Sequence, residues 1–127
     1  MEKQGKKYEA QRFGEFAEEI VAQRYLKEGY ALLERNWRLG KTEIDLIVQK
    51  DDTVVIVEVK ARSGKNEEAI SAVTHDKRRR MVRAADAYLR RLKGNFNYRF
   101  DIATCTGNTR IYEMEYFEDA FLATDFF

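Results

Sequence analysis

The sequence predicts an α/β domain: a mixed central sheet of about five strands flanked by helices, in the order α-β-β-β-α-β-β. Three observations predict it. Apolar residues recur at helical spacing in two separate stretches, near residues 8–29 and 74–92. Residues 54–57 are apolar without alternation, as in a strand buried on both faces. Four further extended segments are separated by short polar or glycine-bearing turns.

The first helix is read from Tyr8 to Gly29, with Phe13, Phe16, Ile20, Val21, Tyr25 and Leu26 on its apolar positions. Gly29 follows Lys27 and Glu28 as the stop. Tyr30–Arg38 reads as a strand and Leu39-Gly40-Lys41 as a turn. Glu43–Gln49 and Val54–Lys60 form a hairpin about Asp51-Asp52. Residues 62–73 read as a loop with a short helical piece at Glu67–Ala72. Thr74 is placed to cap a second helix running to about Leu92, with Met81, Ala85, Tyr88 and Leu92 on its apolar stripe and Gly94 ending it. Strands Asn97–Thr104 and Arg110–Tyr116 close the domain about Thr106-Gly107-Asn108.

One domain, residues 1–127, suits this length, with 1–7 read as an unstructured lead and 117–127 as an aromatic tail. With 44% hydrophobic and 35% charged residues, the composition excludes a disordered chain. No apolar run is long enough to cross a bilayer, and the charged N-terminus leads into no secretory signal, so no membrane partner is expected. Cys105 is the single cysteine, which excludes an internal disulfide and points to a reducing cytoplasm.

Charge is unevenly spread. Residues 71–93 carry 8 Lys and Arg against 2 Asp and Glu, in a chain of net charge +1. Lys77, Arg78, Arg79, Arg80 and Arg83 crowd the N-terminal half of the second helix, where the dipole does not favour cations. Phosphate binding explains that placement, and a solvated helix face is the plain alternative. Arg90, Arg91 and Lys93 near the C-terminus are ordinary dipole complements.

The central hairpin carries the chemistry. A buried strand that ends Glu58-Val59-Lys60 places two charges where desolvation is costly, so they need partners or a metal. A two-residue loop at Asp51-Asp52 sets Lys50 opposite Thr53, which sets Asp45 opposite Glu58 and Glu43 opposite Lys60, all on one face. The like-charge pair Asp45 and Glu58 is destabilising unless a cation sits between them. Lys60 is one such cation and Mg²⁺, which takes one or two carboxylates plus water and phosphate, is the other. Such a metal would polarise a phosphate and acidify water, with Lys60 orienting the nucleophile or stabilising developing charge. The plain alternative is a salt-bridged cluster that pins strand register.

Asp45 with Glu58-Val59-Lys60 resembles the PD-(D/E)xK nuclease superfamily. A longer ordered set is present: Gly14-Glu15, Asn36-Trp37-Arg38, Glu43-Ile44-Asp45-Leu46-Ile47, Val57-Glu58-Val59-Lys60-Ala61-Arg62, Lys77-Arg78-Arg79-Arg80, Ala84-Ala85, Tyr88-Leu89 and Arg99-Phe100-Asp101. Across roughly residues 10–116 this set resembles the YraN-like family of small bacterial proteins, related to archaeal Holliday junction resolvases. Thr42 stands where that family usually has Gly, and its aromatic-Gly element is missing around Ser63-Gly64.

The resemblance implies a restriction endonuclease-like fold and a Mg²⁺ or Mn²⁺ site for hydrolysing phosphodiester bonds in structured or branched DNA. Asp45, Glu58 and Lys60 would be catalytic; Asp45, Glu58, the Val59 backbone carbonyl and Glu15 would hold the metal. Glu43 is an accessory metal contact or the partner of Lys60. Lys77, Arg78, Arg79, Arg80, Arg83 and Arg62 would face DNA, and a homodimer would suit a two-fold junction. Apart from the family, the favoured reading of Glu15 is an exposed residue of the first helical turn. His75 reads as a surface residue or a general base. The tail aromatics read as packing material, some of them as an oligomer surface. The rival functions are a non-catalytic nucleic-acid-binding module and, third, a structural interaction protein.

Overall fold

The computed structural model describes residues 2–64 and 69–126. Its order is α1 (Glu2–Lys27), β1 (Ala31–Leu39), β2 (Thr42–Lys50), β3 (Thr53–Arg62), a 3-10 turn (Ala69–Ala72), α2 (His75–Arg91), β4 (Asn97–Gly107), β5 (Tyr112–Phe121) and a second 3-10 turn (Ala123–Phe126). The five strands lie in sequence order across one sheet. β3 and β4 are parallel and the other neighbours antiparallel. A parallel pair needs a long crossover, and α2 supplies it. This is the mixed, helix-flanked sheet of the restriction endonuclease-like fold that the sequence predicts.

Each face of the sheet has its own core. Phe13, Ala17, Val21 and Tyr25 of α1 pack with Leu46, Val48, Val55, Val57 and Cys105. Met81, Ala84, Ala85 and Tyr88 of α2 pack with Ile44, Ile47, Val54, Ile56, Phe100 and Ile102. The unbroken apolar run of β3 is thereby explained: Val54 and Ile56 serve one layer, Val55 and Val57 the other. Burial of each such side chain contributes about 1.5–3 kcal/mol.

The helix ends follow the sequence. Gly29 (φ 93) takes the left-handed turn after α1, and Tyr30 N–H donates to Tyr25 O at 3.0 Å. Thr74 caps α2 through its side chain, which accepts from the Lys77 N–H at 3.1 Å.

Several bounds differ from the expectation; β4, for one, pairs on to Gly107, into the expected Thr106-Gly107-Asn108 turn, so β5 starts only at Tyr112. α1 begins at Glu2, ahead of the apolar periodicity that starts at Tyr8. The short helical piece is a 3-10 turn over Ala69–Ala72, while Glu67 and Glu68 lie outside the described residues. β5 runs on to Phe121, well past Tyr116, because Asp119 (φ 52) bulges the strand and lets pairing resume at Phe100↔Phe121. Phe121 stacks on Phe100 at 4.7 Å, and Phe117 and Phe126 pack against the same core. The tail aromatics at these positions are therefore packing material. No helix among the described residues is long and apolar enough to cross a membrane.

Candidate active site

The β2–β3 hairpin has the predicted register, from Lys50↔Thr53 to Leu46↔Val57. There the ladder stops. Beyond it the Asp45 side chain replaces the missing backbone partner: its Oδ2 accepts the Val59 N–H at 2.8 Å. The alternation of β2 also breaks here, since Ile44 and Ile47, three residues apart, both pack in the α2 layer. On β1 the neighbouring Asn36, between Arg35↔Leu46 and Trp37↔Ile44, adopts φ 50. Such a break re-aims a side chain, and the one it re-aims is Asp45.

Asp45 and Glu58 are 9% and 8% exposed, low enough that neither carboxyl is freely solvated. They lie within hydrogen-bonding reach of each other. Burial, reinforced by Asp45, pushes the Glu58 carboxyl up to about 9. A third carboxyl joins from α1. Glu18 is within hydrogen-bonding reach of Asp45, and burial with the Asp45 and Glu43 charges pushes it up to about 7. Two carboxyls in contact must share a proton or a cation.

One cation present is Lys77, at the start of α2. Its Nζ lies 3.2 Å from Glu58 Oε2 and donates to Glu43 O at 3.1 Å. Lys60 follows Glu58 by two residues on β3, and its side chain makes no hydrogen bond or ion pair among the described residues. It is half-buried and shares the Glu58 side of the strand.

Several expected placements are revised. Glu43 does not pair with Lys60. The β2–β3 ladder ends before reaching that level, and Glu43 instead bonds its β1 neighbour Arg38, at 2.8 Å. Glu15 is exposed and accepts from Gln11 at 3.3 Å, a turn away from the cluster that Glu18 joins. Val59 donates its N–H to Asp45, on the same strand edge that its carbonyl, the expected metal contact, faces. Lys77 points inward to Glu58, whereas the other basic residues of α2 lie outside the cluster. Arg78 donates to Val73 O at 2.9 Å and lies over the Phe121 ring. Arg79 and Arg80 both bond Asp76, and Arg83 is exposed. Arg62 is half-buried at the end of β3. His75 is exposed, its ring 4.6 Å from that of Phe126.

Among the described residues no group of three His, Cys, Asp or Glu side chains forms a ready metal cage. Mg²⁺ does not require one, because it typically takes one or two carboxylates and completes its shell with water and phosphate. The buried Asp45–Glu58 pair has that chemistry, with Glu18 beside it.

The sequence model described as "Uncharacterised protein family UPF0102" matches residues 17–105. The chain belongs to UPF0102. Relatives confirm the breadth of the match. A UPF0102 protein of Phocaeicola vulgatus is 36% identical, over 86% of this chain and 91% of its own length. One from Bacteroides thetaiotaomicron is 40% identical over 83% and 88%, and one from Nitrosomonas europaea 40% over 85% and 92%. The YraN-like resemblance in the sequence is thus a true family relation.

Two residues of this UPF0102 site lie outside the set expected to form it: Glu18, which is not singled out in the sequence, and Lys77, which is assigned there to DNA. Glu18 precedes the buried Val21 and Ala22 by three and four positions, so it shares their helix face, a signal available from spacing alone. Lys77 stood in a basic run whose members look alike in sequence. The i+3 position after the cap Thr74 turns its side chain toward β2 and β3, which only the packing of α2 reveals.

Proposed function

We propose that this UPF0102 protein is a divalent-metal-dependent endonuclease that cleaves phosphodiester bonds in structured or branched DNA. One observation carries the reading: the buried carboxyls of Asp45 and Glu58 are held within hydrogen-bonding reach where β2 and β3 part. A fold stabilised for its own sake gains nothing from such a pair. The preference for branched DNA, and for a homodimer on it, comes from the family resemblance to junction resolvases.

Asp45 and Glu58 would hold Mg²⁺ or Mn²⁺, with Glu18 beside them. Bound there, the metal would polarise the scissile phosphate and lower the pKa of water. The Val59 N–H fixes the Asp45 carboxylate, so its orientation does not depend on the ligand. Lys60, two residues past Glu58, orients the nucleophile or stabilises charge on the phosphate. Lys77 supplies the positive charge that holds Glu58 in place when the carboxylates are otherwise unneutralised.

A second reading, a nucleic-acid-binding module that keeps the fold without turnover, is favoured by that same lysine. An ammonium 3.2 Å from Glu58 neutralises part of the cluster with no metal at all. Calorimetric titration of Mn²⁺ and Mg²⁺ into wild type and Asp45→Asn, with cleavage of labelled four-way-junction DNA in parallel, separates the two. The nuclease reading expects metal binding and cleavage in wild type and neither in the variant. Absence of metal binding even with DNA present would leave the binding module.

A further inference from the structure

Beyond the carboxylate cluster the structure has a groove of about 1140 Å³ between α1 and the ends of β3 and β4. The parallel strands β3 and β4 finish together, at Arg62↔Thr106, and ligands of α/β sheets gather beyond the C-terminal ends of such strands. Among the described residues three arginines line the groove, Arg12 from α1, Arg62 from β3 and Arg110 from the β4–β5 turn, against one carboxylate, Glu9. Arg12 and Arg110 are exposed and have no carboxylate partner among the described residues; Arg12 lies 5.8 Å over the Tyr8 ring. The basic run of α2 is mostly engaged: Lys77 is bound to Glu58, Arg78 to the Val73 carbonyl, and Arg79 and Arg80 to Asp76, which leaves Arg83 exposed with no carboxylate partner among the described residues. Cations without acidic partners are the ones free to take phosphates.

The groove is also shaped and placed for a strand. Small residues line it, Ala10, Ala61 and Gly64 among them, so a sugar–phosphate backbone can approach closely. Its direction follows from two elements. From Glu18 back to Arg12 the helix runs about 9 Å at 1.5 Å per residue. From Glu58 on to Arg62 the strand runs about 13 Å at 3.3 Å per residue. Phosphates of one duplex strand follow at about 3.4 Å along the axis, so the groove lies roughly three or four nucleotides from the carboxylates.

Resting on the nuclease reading, we propose that this groove holds the DNA strand flanking the scissile phosphate, with Arg12 and Arg110 as its phosphate contacts and Arg62 between them and the site. The test is fluorescence anisotropy of a labelled DNA duplex with full-length protein in EDTA, across a salt series. Arg12→Gln/Arg110→Gln should weaken binding at least tenfold at low salt. It should also lower the slope of log affinity against log salt by roughly 1.8, about 0.9 per lost phosphate contact. Arg79→Gln/Arg80→Gln should change both less, and the melting temperature of either variant should stay near wild type. Unchanged affinity and slope in the groove variant, or no DNA binding by wild type, would overturn the groove. The nuclease reading fails on a separate measurement, absence of metal binding at Asp45 and Glu58, and the groove variant reads out without metal.

Discussion

Lys77 Nζ sits 3.2 Å from Glu58 Oε2 and 3.1 Å from the Glu43 carbonyl, tying the first turn of α2 to the carboxylate cluster of β2 and β3. A lysine in that position competes with any divalent cation for the same oxygens. Lys77→Gln should therefore raise Mn²⁺ affinity several-fold in calorimetry. It should also cost the metal-free fold about 1–3 kcal/mol, because Glu58 loses its charged partner. Weaker metal binding in the variant would mean that Lys77 organises the site and does not compete for it.

Asp45→Asn removes one charge from a like-charge cluster while its amide oxygen can still accept the Val59 N–H. The variant should melt higher than wild type at pH 8 without metal and show no metal-dependent rise. Thermal unfolding with and without Mg²⁺ checks both halves.

Glu18 and Glu15 are one turn apart on α1 and differ in where they point. Glu18→Gln should weaken metal binding tenfold or more, as loss of a group bonded to a ligand typically does. Glu15→Gln, at an exposed position, should change neither binding nor stability by more than about 0.5 kcal/mol. The reverse pattern would return the helical carboxylate role to Glu15.

The raised carboxyls give the metal-free protein a defined pH response. An unfolded chain releases these protons near 4.5, whereas the folded state keeps them to about 7 at Glu18 and about 9 at Glu58. Between those limits the folded state binds more protons than the unfolded one, so stability falls as pH rises from about 4.5 to about 9. Outside that window this contribution is flat. Denaturant midpoints measured at pH 5, 7 and 9 in EDTA should decline in that order, and Mg²⁺ should restore most at pH 9.

Asp101, 2% exposed, takes a two-pronged ion pair from Arg99 at 2.8 and 2.9 Å, the Tyr25 hydroxyl at 2.5 Å and the Asp119 N–H at 3.0 Å. The Asp101 hydrogen bond raises the Arg99 guanidinium above its ordinary value, and burial with Asp101 holds the Tyr25 phenol protonated. Arg99→Ala would strand a buried carboxylate and should cost about 3–5 kcal/mol. Tyr25→Phe leaves both Arg99 bonds in place and should cost only about 1–2 kcal/mol. Urea unfolding of the two variants checks the order, and equal losses would contradict it.

The fold was legible because its signals are local. Helical spacing in Phe13–Leu26 and Met81–Leu92, the cap at Thr74, the stop at Gly29 and the unbroken apolar run of β3 each depend on neighbours in sequence. The hairpin register from Lys50↔Thr53 to Leu46↔Val57 follows from loop length and from which residues must be buried. Asp45, Glu58 and Lys60 could be singled out by the same reasoning, since charges on a buried strand require an explanation.

Tertiary structure decided what crosses between elements. Where the β2–β3 ladder ends could not be read from the hairpin, because the break at Asp45 depends on its bond to Val59 N–H and on packing against β1. That break sent Glu43 to Arg38 and left Lys60 without the partner assigned to it. The identity of the helical carboxylate, Glu18, and of the inward lysine, Lys77, rested on the rotation and seating of α1 and α2 on opposite faces of the sheet. Sequence periodicity marks which face of a helix is buried. Only the three-dimensional arrangement decides which charged residue at the margin of that face meets which partner, because Coulomb and hydrogen-bond energies depend on distances of a few ångströms between atoms far apart along the chain.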